Sequence, residues 1–270
     1  MSGREILTVG LTGGIACGRT TIGATLTRLG ACVIDMDELA HRLVEPGGAA
    51  ARLVADAFGP KYVDEQGGIR RKTLAALVFR DAEARERLEK ILHPLILVES
   101  ERVLDDFAAS RGRGIGIIDA ALLVETGGWR RYDRLIVVVC DPVLQLRRLM
   151  ARDELGEQEA RARIAAQAPL AEKKLLADYV IDTSSTLAET ETRTHEIYAM
   201  LLEDLERHPN LPDRRARGSR GTSPRRSSGT PCRAAATRPS CSSSAPRPPR
   251  CVWTAAVWTR PRPGRIRGSA

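Results

Sequence analysis

The stretch with the most readable chemistry is Gly13-Gly14-Ile15-Ala16-Cys17-Gly18-Arg19-Thr20, whose spacing follows GxxxxGK[ST] except that Arg19 replaces the lysine. Glycines at such positions let backbone N–H groups turn inward around phosphate oxygens, and the helix that follows adds its positive end. Gly13, Gly14, Ala16, Cys17 and Gly18 are therefore read as a cradle for a polyphosphate. Thr20 offers a hydroxyl to Mg2+, and Thr21 a hydroxyl or a backbone amide to an adjacent phosphate. Arg19 keeps the charge of the missing lysine but not its shape. Its planar fork is bulkier and favours bidentate partners, so nucleotide binding with a poorly placed γ-phosphate and reduced activity is expected. The plain alternative is a glycine-rich strand-to-helix turn that holds no ligand. Cys17 is expected to feel the helix N-terminus and become a somewhat acidic thiol, with no resolving cysteine in view and no catalytic role.

Carboxylates and further cations follow at intervals. Asp35 and Asp37 succeed the apolar run Cys32–Ile34; at i and i+2 of an extended segment they point the same way and can share a metal-water cluster. The competing reading makes one of them the N-cap of a helix over residues 38–44. Asp119 succeeds another apolar run, Gly114–Ile118, and is read as an acid holding a Mg2+ water, or as a strand-ending turn residue. Arg148 and Arg152 are four apart and so share a helix face that can grip phosphates. A solvated face is the other reading, preferred for Arg147 and Arg161.

These groups need a scaffold that gathers them at one edge. Up to about residue 206 the chain alternates short β-branched runs with helical periods, the pattern of a parallel sheet covered by helices. Strands are expected at Ile6–Val9, Cys32–Ile34, Gly114–Ile118, Leu135–Cys140 and Tyr179–Ile181. Residues 45–112, with helical patterns at Ala49–Phe58, Lys72–Phe79 and Leu95–Phe107, and residues 145–176 are too long for simple crossovers and are read as helical insertions at the carboxyl edge of the sheet. A last helix, Leu187–Leu205, places Leu187, Ile197, Leu201 and Leu205 on one side, against the sheet. The predicted class is α/β, a three-layer fold with one domain at 1–206.

Residues 207–270 differ in kind, being rich in Arg, Pro and Ser, the profile of a segment that buries too little to fold. From residue 211 onward there are fourteen Arg, no Lys and one acid, so this tail carries +13 and leaves −5 for the rest of a chain whose net charge is +8. A folded part with that balance has no general nucleic-acid footprint, and no nucleic-acid partner is expected for it. For the tail, a basic arm that touches RNA or acidic surfaces competes with an out-of-frame translation product of a GC-rich gene, and the lack of Lys favours the second. The apolar run Leu135–Cys140 is far shorter than the roughly 20 residues of a membrane helix, and Arg4 and Glu5 lead into no signal-like segment, so a cytoplasmic protein without a membrane partner is expected. Six cysteines without CxxC spacing indicate neither zinc nor a disulfide framework.

In order along the chain stand Gly10-Leu11-Thr12-Gly13-Gly14-Ile15; Val33-Ile34-Asp35-Met36-Asp37 with Ala40-His41 and Pro46-Gly47; Arg71–Leu74 with Phe79 and Leu92-His93-Pro94-Leu95-Ile96; Asp119 with Leu122-Leu123-Val124-Glu125; Gln145, Arg148 and Arg152; and Gln167, Pro169, Lys173 with Ala177–Ile181. Over residues 7–183 this collinear series resembles the dephospho-CoA kinases. The chain departs from them at Ala16-Cys17, Arg19, Ala121 and Asp182. The resemblance implies a P-loop NTPase, adenylate-kinase-like fold, with residues 45–112 as the acceptor-binding region and 145–176 as a lid. It implies transfer of the γ-phosphate of ATP, with Mg2+, to the 3′-hydroxyl of dephospho-CoA, yielding CoA, the last step of CoA biosynthesis. By the same resemblance Asp37 is the base for that hydroxyl and Arg148 and Arg152 are lid arginines on the phosphates of ATP. Asp35, Arg71 and His93 then contact the acceptor, His93 opening a helix of its region. Another small-molecule or nucleotide kinase, and a nucleotide-binding pseudokinase impaired by Arg19, remain alternatives.

Overall fold

A computed structural model describes residues 5–207; the readings of the tail, including Cys232, Cys241 and Cys251, lie outside the described residues. Five strands form one parallel sheet: β1 (Glu5–Gly13), β2 (Cys32–Asp35), β3 (Arg113–Asp119), β4 (Arg134–Val139) and β5 (Tyr179–Asp182), in the order β2-β3-β1-β4-β5. Each expected strand is present, and each extends by one to four residues beyond the apolar run that announced it, except at the end of β4, where Cys140 falls outside. The central β1 runs longest because it is paired on both sides, with β3 from Glu5 to Leu11 and with β4 from Val9 to Gly13.

Alternation along the strands divides the core in two. Leu7, Val9, Leu11, Ile115, Ile117, Ile136, Val138 and Ile181 point to one face, where α1 (Arg19–Arg28) contributes Ile22 and Leu26 and α9 (Leu187–Arg207) contributes Ile197, Leu201 and Leu205. Leu187, expected on that buried side, is exposed instead, at the first residue of the helix, and the buried face begins at Thr190. Arg134 forks onto Asp204 at 2.6 and 2.9 Å and Tyr179 donates to the same carboxylate at 2.6 Å, pinning α9 to β4 and β5. Burial works against the Asp204 carboxylate, but these hydrogen bonds hold its pKa below the ordinary value.

The opposite face is covered by α2 (Met36–Leu43), α3 (Ala51–Phe58), α4 (Arg71–Arg80) and α5 (Ala82–Arg111). Here the expectation needs correction: α5 does not begin near Leu95 but runs through His93 and Pro94, and it packs along the sheet face as the crossover into β3 rather than standing only at the carboxyl edge. Its start is set by Asp81, whose side chain accepts from the amides of Glu83 and Ala84 at 2.9 and 3.0 Å. Ala84, Leu88, Leu92, Ile96, Ser100 and Leu104 form an unbroken buried stripe at intervals of four, and Pro94 faces solvent on the far side. Packing of that stripe outweighs the helix-breaking preference of a proline on the exposed face. Gly114 and Gly116 supply the flat track beneath it, for a Cβ on Gly116 would lie 2.4 Å from Leu104 Cδ2.

Between β4 and β5 come α6 (Pro142–Asp153), α7 (Glu157–Ala165) and α8 (Leu170–Leu176). All five strands point their carboxyl ends at the same edge. The chain leaves β1 for β2 and β3 on one side and returns to β4 and β5 on the other, so the crevice beyond β1 is where an open α/β sheet collects ligands.

Candidate active site

The loop from Gly14 to Gly18 leaves the central strand at this crevice and enters α1 directly. Gly13 lies so close to β4 that a Cβ there would sit 2.4 Å from the Val138 carbonyl oxygen. At Gly14 an added Cβ would meet Gln145 Nε2 at 2.6 Å. Ala16 (φ 60°) and Gly18 (φ 88°) are left-handed, which turns the intervening backbone into a concave arc. Gly18 is also the N-cap of α1, its carbonyl accepting the amides of Thr21 and Ile22 at 3.1 and 3.3 Å. Thr20 and Thr21 are exposed in the first turn of that helix.

Arg19 is buried and its Nη1 makes an ion pair with Asp119 Oδ1, at the end of β3. The guanidinium therefore sits between the loop and the acid. In register Asp119 stands opposite Asp35 on β2 and Leu11 on β1, so the two acids occupy adjoining strand ends. The expectation that Asp35 and Asp37 share an extended segment does not hold: Asp35 ends β2 and caps α2, its Oδ1 accepting the amides of Asp37 and Glu38 at 2.8 and 3.1 Å. Asp37 is thereby turned into the first helical turn, where it is buried.

Arg148 on α6 reaches the loop through one intermediary. Its two terminal nitrogens donate to the Thr183 hydroxyl and carbonyl oxygens at 3.0 Å each, and the Thr183 hydroxyl donates to the Cys17 carbonyl at 2.9 Å. Arg152, one turn on, is exposed and forks onto Asp153. Arg71 begins α4, and His93 is half-buried midway along α5. Burial, assisted by Arg131, lowers the pKa of His93 and favours its neutral form. These three residues stand on separate elements from the loop.

Four residues were named above without a role, or not at all, and the structure gives them one. Gln145 donates to the Ile15 carbonyl at 2.9 Å and Gln167 accepts the Ile15 amide at 2.7 Å, so the two glutamines grip both sides of one loop residue. Lys173 is fully buried; its ammonium pairs with Glu125 at 2.7 Å and donates to the carbonyls of Gly13 and Ala121 at 3.4 and 3.3 Å. Burial lowers its pKa, with Glu125 opposing. Cys140 Sγ lies 3.1 Å from Cys17 Sγ, so the loop cysteine has a partner that the spacing of 123 residues conceals. Cys17 is not the acidic thiol expected of a helix N-terminus, because its contact with Cys140 and its burial raise its pKa. No local motif announces these ties.

A family model described as dephospho-CoA kinase aligns with residues 7–189, a span that holds the sheet, the loop and the acids at the strand ends. The chain belongs to the dephospho-CoA kinase family. A dephospho-CoA kinase of Geobacter sulfurreducens is 45% identical over 191 residues, covering 71% of this chain and 96% of that protein. The corresponding protein of Geobacillus kaustophilus is 44% identical over 188 residues, covering 68% and 91%. Among solved structures, TT1252 from Thermus thermophilus aligns with a TM-score of 0.60 at 31% identity, over 73% of this chain and 97% of that one. A dephospho-CoA kinase from Campylobacter jejuni shares the fold with a TM-score of 0.52 at 23% identity, over 74% and 98%. The family model ends at residue 189, before the Arg-rich tail.

Proposed function

We propose that this chain transfers the γ-phosphate of ATP to the 3′-hydroxyl of dephospho-CoA, the last step of CoA biosynthesis, with the loop of residues 13–21 as its polyphosphate site. The observation that carries the reading is the placement of that loop, with two left-handed residues and a helix N-terminus, beside Arg19 and Asp119 at the carboxyl edge of the sheet.

In this reading the amides of residues 13–21 bind and orient the phosphates, and Arg148 and Arg152 supply cations from a lid formed by residues 145–176. Gln145 and Gln167 extend from the lid region to the loop, so the lid also sets the loop's shape. Arg19 is placed to trade Asp119 for a phosphate when nucleotide arrives. Asp37, oriented through the cap that Asp35 places on its amide, accepts the proton of the 3′-hydroxyl. Residues 45–112 shape the acceptor site, where Arg71 offers a cation and His93 a neutral imidazole.

Mg2+ accompanying ATP fits the donors present. Asp119 and Thr20 offer hard oxygen ligands at the loop, and Asp119 already holds a cation, Arg19. Among the described residues no group of three or more His, Cys, Asp or Glu is arranged to hold a metal alone. That suits an ion which takes one or two protein oxygens and completes its shell from substrate phosphates and water. When bound it neutralises charge on the transferred group. Among the described residues no helix is long and apolar enough to cross a membrane, and the reaction is assigned to the cytoplasm on the sequence reading alone.

The test is a coupled ADP-release assay with ATP, Mg2+ and either dephospho-CoA or adenosine monophosphate. Consumption of the first acceptor only is expected. No turnover with dephospho-CoA, or equal turnover with both, refutes the assignment.

A further inference from the structure

Cys17 lies inside the nucleotide loop and Cys140 immediately follows β4, and both thiols are free with their sulfurs 3.1 Å apart. Neither group has a part in the phosphoryl transfer described above. We propose that Cys17 and Cys140 form an oxidisable dithiol whose closure to a disulfide by a peroxide arrests the nucleotide loop. The effect on turnover rests on the kinase reading, whereas formation of the bond does not.

Geometry brings the reaction within reach. Two sulfurs in contact need to approach by only about 1 Å to bond. The two thiols are also unequal. The contact with Cys17 and the guanidinium of Arg148 lower the pKa of Cys140, whereas Cys17 is held protonated by its contact with Cys140 and by burial. Cys140 is also 6% exposed where Cys17 is wholly buried, so it is the sulfur a peroxide reaches first: its thiolate displaces hydroxide from hydrogen peroxide to give a sulfenic acid. The Cys17 sulfur then attacks the Cys140 sulfur, the S–O bond breaks, and the hydroxyl leaves as water with the thiol proton. Overall two thiols and one peroxide give one disulfide and two waters, the peroxide being reduced.

The consequence follows from where Cys17 sits. Its amide donates to the Gly14 carbonyl at 3.2 Å, its carbonyl accepts the Thr183 hydroxyl at 2.9 Å, and left-handed residues flank it on both sides. Drawing its side chain toward β4 pulls the arc on which the phosphate-facing amides stand. A misplacement of about 1 Å at such a site costs on the order of a hundredfold in rate. Cys32 lies on a different strand, within the opposite cluster.

The experiment treats the full chain with hydrogen peroxide and follows two readouts. Tryptic digestion without reductant should yield residues 5–19 joined to residues 135–147, located by mass spectrometry. In parallel, turnover should fall about a hundredfold and return with dithiothreitol. Cys140→Ser should keep basal turnover and lose the reversible peroxide response; Cys17→Ser should lose the response whatever its basal rate. The proposal is overturned if the joined peptides are absent, if Cys17 pairs instead with another cysteine, if Cys140→Ser is inactivated as wild type is, or if the joined form turns over undiminished. The peptide readout needs no activity, so its failure is separate from a failure of the kinase assignment.

Discussion

Arg19→Lys is the substitution that weighs most on the reading of the site. Arg19 Nη1 pairs with Asp119 while 9% exposed beside a partner that is 5% exposed, so in the absence of nucleotide its cation is committed to the carboxylate at the end of β3. A lysine at this position has a compact ammonium on a flexible stem, able to turn to the γ-phosphate and leave Asp119 to a metal-bound water. One hydrogen bond to a charged group is worth about 1.5–3 kcal/mol, and 1.4 kcal/mol is tenfold, so kcat/KM for ATP should rise by roughly one to two orders of magnitude. Arg19→Ala is the control, because it removes the cation paired with a buried carboxylate. Breaking such a pair costs about 3–5 kcal/mol, and at about 2–4 °C per kcal/mol for a domain of this size Tm should fall by roughly 6–20 °C. Steady-state kinetics with dephospho-CoA, alongside calorimetry, measure both effects. If kcat/KM changes less than twofold in Arg19→Lys, arginine already reaches the phosphate and the argument from its shape fails. A fall with Tm unaltered would mean that the Arg19–Asp119 pair itself serves turnover.

Asp37→Asn removes the proposed proton acceptor, so kcat should drop by about 10²- to 10⁴-fold while ATP affinity, measured by calorimetric titration, stays the same; a loss of ATP affinity instead would move Asp37 to the nucleotide side. Gln167→Ala unties the Ile15 amide from its partner at 2.7 Å and should raise the Kd of ATP by roughly 2- to 10-fold, the worth of one hydrogen bond of about 0.5–1.5 kcal/mol; an unchanged Kd speaks against the glutamine grip. Asp204 has a carboxyl pKa below its ordinary value in the folded state, so its contribution is present above the unfolded-state value and is lost as pH falls through the folded one. Urea melts should therefore show stability declining below roughly pH 4, a decline that Asp204→Asn flattens, since the variant has already lost the pair.

Much of the fold was legible because it depends on local periodicity. The five strands were announced by their apolar runs, and Gly114-Ile115-Gly116-Ile117 even records its two faces, glycine under α5 and isoleucine toward α9. The insertion helices were harder: a Pro inside a helical period ordinarily marks a boundary, and only the buried stripe from Ala84 to Leu104 shows that Pro94 occupies the outer side of one continuous helix. Leu187 matched the period of α9 but, as the first residue of the helix, is exposed, and burial begins one turn later at Thr190. The loop proposed to hold the phosphates was visible because such a cradle is assembled from consecutive backbone groups, so its demands for glycine fall on neighbouring residues.

What the sequence by itself determined is the parallel α/β architecture, the loop of residues 13–21 and the acids at the ends of β2 and β3, each a matter of contiguous residues. Tertiary structure decided that Arg19 spends its charge on Asp119, that Gln145 and Gln167 grip Ile15, that Lys173 is buried beneath Gly13, and that Cys17 has a partner in Cys140. Those pairings join residues 100 to 160 positions apart. Contacts of that kind are set by the order in which strands are laid into the sheet, and no local period in the chain encodes which distant side chain will arrive at a given strand end.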